Sequence, residues 1–364
     1  MHRAPDKPAV LRFVRQYFDS EAIFMFKKTI AYTAAAAILL GTTACGESSS
    51  QQETAESSVT ESKNDSVTGE QLSIVCTIFP EYDWVKQILG DHASHAEITY
   101  LLDSGVDLHS YQPTAADMAK IADCDLFVYI GGESDEWVED ALAEAVNPDM
   151  QTINLMEVMG DAAKEEVVKE GMEPEDEEDG EDADEPEYDE HVWLSLKNAK
   201  TLCTEITDRL SILDSANKDA YKANLDAYTA QLDKLDGDFK ALIDGASQKV
   251  LVFGDRFPFR YFVDDYGLDY FAAFAGCSAE TEASFDTIVF LAEKMDELGC
   301  GTIFTIENSD HKIAQTVIDN TKEKNQNIAE MNSLQSVTKD QVSSGATYLS
   351  MMQANYDTLK GALQ

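Results

Sequence analysis

Apolar residues recur along this chain with two different periods, and the alternation of those periods predicts its fold class. Short runs with the β-branched and aromatic content of strands occupy Leu72 to Phe79, Glu97 to Leu102, Leu126 to Ile130 and Gln151 to Leu155, separated by helix-like stretches. The alternation returns after residue 249 with Lys249 to Phe253, Asp269 to Phe274, Thr302 to Ile306 and Asn327 to Met331. Strands alternating with helices imply a parallel sheet covered on both faces, here twice over, so the expectation is an α/β protein of two lobes. Between them, Tyr221, Leu225, Tyr228, Leu232, Leu235, Phe239 and Leu242 follow a spacing of fours and threes, which predicts one amphipathic helix from Asp214 to Asp244. Asp214 or Ser215 can cap its start and Gly245 can close its end, and at 1.5 Å per residue it would run about 45 Å, enough to join both lobes. A stiff strut of this kind predicts only modest lobe closure on ligand binding. The expected division is a first lobe over 71–213, the linking helix over 214–245 and a second lobe over 246–364.

The N-terminus reads as an address. Met25 to Cys45 places Lys27 and Lys28 ahead of an apolar stretch from Ile30 to Leu40, then small residues before a cysteine, the layout of a secretory signal. The stretch is short for a membrane span, and the Ser/Gln/Glu/Thr-rich tract over 46–70 that follows reads as a disordered tether. The tract ending at Cys45 resembles a bacterial lipoprotein signal, although Thr42 stands where Leu is usual, three positions before the cysteine. That resemblance implies acylation of Cys45 and a lipid anchor on the outer face of the cell membrane. Residues 1–24 carry no export logic and read as an extension upstream of a true start at Met25.

Charge narrows the partners. A net charge of −42 over 364 residues repels phosphates and leaves no Lys/Arg stripe, which argues against nucleic acid and for metal cations. Much of it lies in Glu173 to Glu190, a run too poor in apolar surface to order itself, expected as a mobile loop and at most a weak antenna for cations. Apart from Cys45, the cysteines Cys76, Cys124, Cys203, Cys277 and Cys300 lie far apart without CxxC spacing. Neither a zinc knuckle nor a disulfide framework is indicated, and most are expected as small core residues.

Ligands of parallel α/β sheets collect beyond the carboxyl ends of the strands, so the loops there hold the candidate chemistry. They contain His109 after the second run, His191 at the end of the acidic stretch, Asp255 and Arg256 after the fifth run, Glu307 after the seventh and Asn332 after the eighth. His92, His95 and His311 are read as ordinary surface or satisfied histidines.

Here the residues carry a family resemblance that covers nearly all of Gln71 to Gln364. The loop GVDLHSYQP around His109 resembles the G-x-D-P-H-x-Y-x-P loop of the zinc/manganese substrate-binding lipoproteins of ABC importers, and DEHVWLSLKNA around His191 resembles that family's D-x-H-x-W-L-x-P-x-N-A. ADCDLFVYIGGESDEW and the closing GATYLSMMQANYDTLKGAL are similar to further motifs of that family, in the same order. The resemblance implies two lobes on a backbone helix with one metal in the cleft, no enzymatic activity, an importer permease as partner, and a monomer. It implies His109 and His191 as ligands of Zn2+, with Mn2+ as the alternative. The family's third ligand aligns with Arg256, which cannot bind a cation, so the neighbouring Asp255 is the expected substitute. The fourth aligns with Asn332, and Glu307 is a competing donor. Two other readings stand beside this one: a secreted zinc-dependent hydrolase with an open water position, and a metal-free surface adhesin.

Overall fold

The computed structural model describes residues 71–173, 187–278 and 282–363. The signal region, Cys45, the tether and most of the acidic run lie outside the described residues.

Every predicted strand run contains a strand. β1 (Leu72–Cys76), β2 (Ala96–Tyr100), β3 (Leu126–Tyr129) and β4 (Gln151–Asn154) form one sheet in the order β2-β1-β3-β4. β5 (Val250–Arg256), β6 (Asp269–Phe274), β7 (Thr302–Thr305) and β8 (Asn327–Glu330) form a second in the order β6-β5-β7-β8. All neighbours are parallel, and the two halves share one topology. The connections of the first sheet carry α1 (Phe79–Leu89), α2 (Ala115–Asp123), α3 (Trp137–Ala143) and α4 (Leu155–Met159). α5 (Leu196–Leu213) and α6 (Lys218–Gly245) lead to the second sheet, whose connections carry α7 (Arg260–Tyr266), α8 (Phe285–Leu298) and α9 (Lys312–Asn320). α10 (Lys339–Ser343) and α11 (Tyr348–Leu363) close the chain.

The linking helix is α6, and it buries Tyr221, Tyr228, Leu232, Leu235, Phe239 and Ile243 along one stripe. It starts at Lys218 rather than Asp214. Asp214 Oδ2 instead accepts hydrogen bonds from the Tyr221 hydroxyl at 2.6 Å and from Asn217 Nδ2 at 2.7 Å, so this carboxylate fastens the turn between α5 and α6. At its other end Ile243 is buried and Leu242 only partly so, because the helical stripe drifts off a strict seven-residue repeat.

One apolar cluster runs from the first sheet through α5 and α6 to one face of the second. The pleat of β5 divides its side chains: Leu251 and Phe253 face this cluster, whereas Val252 faces a second one beneath α8 and α9. β5 passes so close to α9 that a Cβ on Gly254 would lie 2.6 Å from the Ala314 Cα, and only glycine fits there. The register of β5 on β6 shifts between Phe253 and Arg256, a local bulge that re-aims the side chains at the end of the strand. α11 returns to the first half of the chain. The Tyr348 main-chain N–H donates to Asp83 Oδ2 at 3.0 Å, and the Tyr348 hydroxyl donates to the Trp193 carbonyl at 2.7 Å.

Candidate metal centre

The loop after β2 enters a single 3-10 turn at Leu108–Ser110, and Asp107 caps it by accepting from the His109 main-chain N–H at 3.1 Å. This cap turns the His109 ring toward the loop after β3, where its Nδ1 lies 2.8 Å from Ser134 Oγ. Ser134 is itself held, because its N–H donates to Glu190 Oε1 at 2.9 Å. Gly132 has φ 91°, and a Cβ at that position would run into the same Glu190 carboxylate.

His191 follows the acidic run and is fully buried. Asp189 Oδ1 accepts both from the His191 main-chain N–H at 2.9 Å and from His191 Nδ1 at 3.0 Å. The loop is fixed from behind by the Tyr261 hydroxyl, which donates to the Asp189 carbonyl at 2.8 Å, and by Trp193 Nε1, which donates to the Ser333 carbonyl at 2.8 Å. A carboxylate can only accept, so His191 Nδ1 carries a proton, and in the neutral ring Nε2 is the atom free to bind a cation. That Nε2 lies 3.3 Å from His109 Nε2 and 3.1 Å from Gln335 Oε1. The Gln335 amide is oriented by its other end, since Nε2 donates to Asp107 Oδ2 at 3.1 Å. With His109 Nδ1 donating to Ser134 and the His191 ring neutral, three lone-pair acceptors point at one another, whereas a protonated His191 donates from Nε2.

Cys277 completes the group. Its Sγ and the ring nitrogens of His109 and His191 all lie within 4.8 Å of one another. It stands three residues beyond β6, its main-chain N–H donates to Glu166 Oε1 at 2.9 Å, and it is the one described cysteine that is only partly buried. Beside it, a Cβ on Gly276 would come within 3.3 Å of the His191 ring and 3.0 Å of the Phe257 carbonyl oxygen, so a larger residue there would press on the histidine.

Electrostatics follow from this crowding. Burial, with the adjacent His191, pulls His109 down to about 3, so its ring is neutral. Burial acts the same way on His191, but the charge and hydrogen bond of Asp189, with Glu190 and Glu166, outweigh it and move that ring up. Burial also works against the Asp107 carboxylate, yet Arg256 overrides it and holds the group below the usual range. The Cys277 thiol is pushed well up by burial and then by Asp189, Glu166 and Glu190.

Of the residues singled out in the sequence, the structure brings His109 and His191 together, and among the described residues neither Asp255 nor Glu307 joins their group. The oxygens of Asp255 accept from the N–H groups of Arg256 at 2.9 Å and Ile306 at 3.4 Å, bracing the end of the bulged strand. Glu307 accepts from the N–H and the hydroxyl of Ser333, both at 2.6 Å, and burial raises its pKa. Asn332 Oδ1 accepts from the Leu334 N–H at 2.8 Å, an Asx turn. The Arg256 guanidinium pairs with Asp107 and donates to the Ser278 carbonyl at 3.3 Å. The structure also places Cys277 and Gln335, which the sequence reading did not single out as ligands, beside these histidines. Both lie in loops at the carboxyl ends of strands, which was the available signal.

The family model for the periplasmic component A of the zinc-uptake complex, ZnuA, matches residues 74–362. The zinc-binding lipoprotein AdcA of Streptococcus pneumoniae (strain ATCC BAA-255 / R6) is 31% identical over 291 residues, which cover 80% of this chain and 55% of that protein. The chain thus spans about half the length of AdcA. The high-affinity zinc uptake system protein ZnuA of Bacillus subtilis (strain 168) is 30% identical over 341 residues, 93% of this chain and 99% of that one. In three dimensions, the Zn(II)-bound ZnuA-like domain of Streptococcus pneumoniae AdcA superposes with a TM-score of 0.62 at 30% identity, over 80% of this chain and 99% of that one. With that match in sequence, topology and fold, the chain belongs to the family of periplasmic zinc-uptake component A proteins.

Proposed function

We propose that this protein captures Zn(II) outside the cytoplasm and delivers it to the permease of an ABC importer, acting as a monomer held to the membrane through acylated Cys45. The observation that carries the reading is the pair of imidazole Nε2 atoms 3.3 Å apart, one of them with its tautomer fixed by a buried carboxylate. Zinc bonds nitrogen at about 2.0–2.1 Å, and the edge of a tetrahedron with such bonds is about 3.3 Å, so the two rings stand as neighbouring ligands of one ion would. A carboxylate behind a ligating imidazole is the usual outer partner of a zinc site. The names of the relatives, a zinc-binding lipoprotein and a zinc uptake protein, agree with this donor set.

The protein binds its ion as cargo and does not catalyse. A hydrolase would need a general base at the ion, and Glu307 accepts two hydrogen bonds from Ser333 and stands outside the group of His109, His191 and Cys277. Nitrogen donors also favour zinc over manganese, which prefers oxygen.

The test is a titration of the purified protein with zinc against a competing chelator. One ion per chain should bind tightly, and His109→Ala or His191→Ala should abolish that binding while His311→Ala leaves it intact. Failure of the parent protein to bind zinc in one-to-one ratio would defeat the reading.

A further inference from the structure

Family resemblance places the third metal ligand at position 256, where this chain has an arginine, so the site needs a donor from elsewhere in the second half of the chain. The candidates suggested by the sequence are engaged in bracing their own loops. Among the described His, Cys, Asp and Glu side chains of that half, the one grouped with the two histidines is a cysteine.

We propose that Cys277 is the third ligand, bound as a thiolate, with Gln335 Oε1 as the fourth, so that the site is a zinc-selective N2SO centre. This rests on the zinc-receptor reading above and specifies the site within it. Three observations support it. First, Cys277 Sγ lies within 4.8 Å of ring nitrogens on both histidines, close enough for all three to reach one ion with modest loop movement. Second, Gln335 Oε1 lies 3.1 Å from His191 Nε2, and the amide is locked in that orientation by its bond to Asp107. With the His191 ring neutral and its proton on Nδ1, both atoms present lone pairs to the same space, which a cation can occupy.

Third, the arginine supports the substitution that its own presence requires. Arg256 donates to the carbonyl of Ser278, the residue after Cys277, and pairs with Asp107, which also holds Gln335 and caps the turn of His109. The residue that replaces a ligand thus holds the loop carrying the new one and, through one carboxylate, positions two others. Arg256 is a positioning residue in this scheme. On binding, zinc takes the place of the thiol proton, which passes to solvent, and the Zn–S bond forms without any redox change. Thiolate ligation makes the site softer and separates zinc from manganese more sharply than a nitrogen and oxygen set would.

Cobalt(II) reports the ligand directly, because a coordinated thiolate gives a sulfur-to-metal charge-transfer band in the near ultraviolet that imidazole and oxygen ligands do not. The parent protein loaded with one cobalt per chain should show that band. Cys277→Ser should lose it and weaken zinc binding by more than about a hundredfold, beyond the ten- to hundredfold typical of an outer partner. Cys300→Ser, in a cysteine far from the histidines, should change neither. The spectrum of the parent protein does not depend on how any variant folds. Tight one-to-one zinc binding without a sulfur band, with Cys277→Ser within twofold of the parent, overturns the thiolate and leaves the receptor standing. Absence of stoichiometric zinc binding by the parent defeats both.

Discussion

Replacing Asp189 by asparagine or by alanine separates the two things this carboxylate does for His191. Its Oδ1 accepts two hydrogen bonds, from the ring Nδ1 at 3.0 Å and from the main-chain N–H at 2.9 Å, in a fully enclosed setting. Asparagine keeps an acceptor oxygen in the same place, so both bonds can persist and only the negative charge behind the imidazole is lost. Outer partners of ligating histidines contribute about ten- to hundredfold in metal affinity, or about 1.4–2.7 kcal/mol. Asp189→Asn should therefore weaken zinc binding by about that factor and leave the melting temperature of the metal-free protein close to that of the parent. Asp189→Ala removes the acceptor as well. Two buried donors are then unpaired at about 1–3 kcal/mol each, so about 2–6 kcal/mol of folding stability should be lost in addition. Chelator competition reads the affinity, and thermal and denaturant unfolding without metal read the stability. An Asp189→Asn protein that binds zinc within twofold of the parent would refute the argument that the carboxylate tunes His191.

Asp135 is buried where its Oδ2 accepts from the N–H groups of Ile130 and Gly131, and burial raises its pKa from 3.8 to about 6. A carboxyl group with a raised folded-state pKa lowers stability above that value, and the penalty fades as pH falls from there through the unfolded pKa of 3.8, so the parent should lose up to about 3 kcal/mol relative to Asp135→Asn between pH 3 and pH 8. A stability difference between the two proteins that does not change with pH, measured by urea unfolding, would count against this. Trp193→Phe should cost at least about 1–3 kcal/mol, because it leaves the buried Ser333 carbonyl without its donor; equal denaturation midpoints would contradict that. Asp255→Ala should bind zinc within twofold of the parent in calorimetry, since its oxygens are turned to the backbone of Arg256 and Ile306. A marked loss of affinity would return Asp255 to the ligand set.

Much of the fold was written in local pattern. Each apolar run contains a strand because parallel strands buried on both faces read as continuous β-branched and aromatic segments, which needs no knowledge of partners. The linking helix was legible from its 3.6-residue period, and its start was misplaced by four residues because Asp214 has a hydroxyl partner seven positions away, at Tyr221. His109 and His191 could be singled out because each lies in a loop whose neighbours repeat a family motif.

What meets those histidines was decided only by tertiary structure. Asp255, Glu307 and Asn332 have the right chemistry in the right loops, and the structure turns their oxygens to hydrogen bonds with Arg256, Ile306, Ser333 and Leu334, a set of partners that spacing alone does not give. Cys277 looked like a core residue because it has no cysteine partner in sequence, yet the turn after β6 carries it to rings 168 and 86 positions earlier in the chain. Gln335 is directed by Asp107, 228 residues away. Sequence spacing dictates the period and direction of an element, which are set by bonds between near neighbours. The convergence of donors on one point depends on how two separately built sheets present their loop ends to each other, and no local pattern encodes that distance.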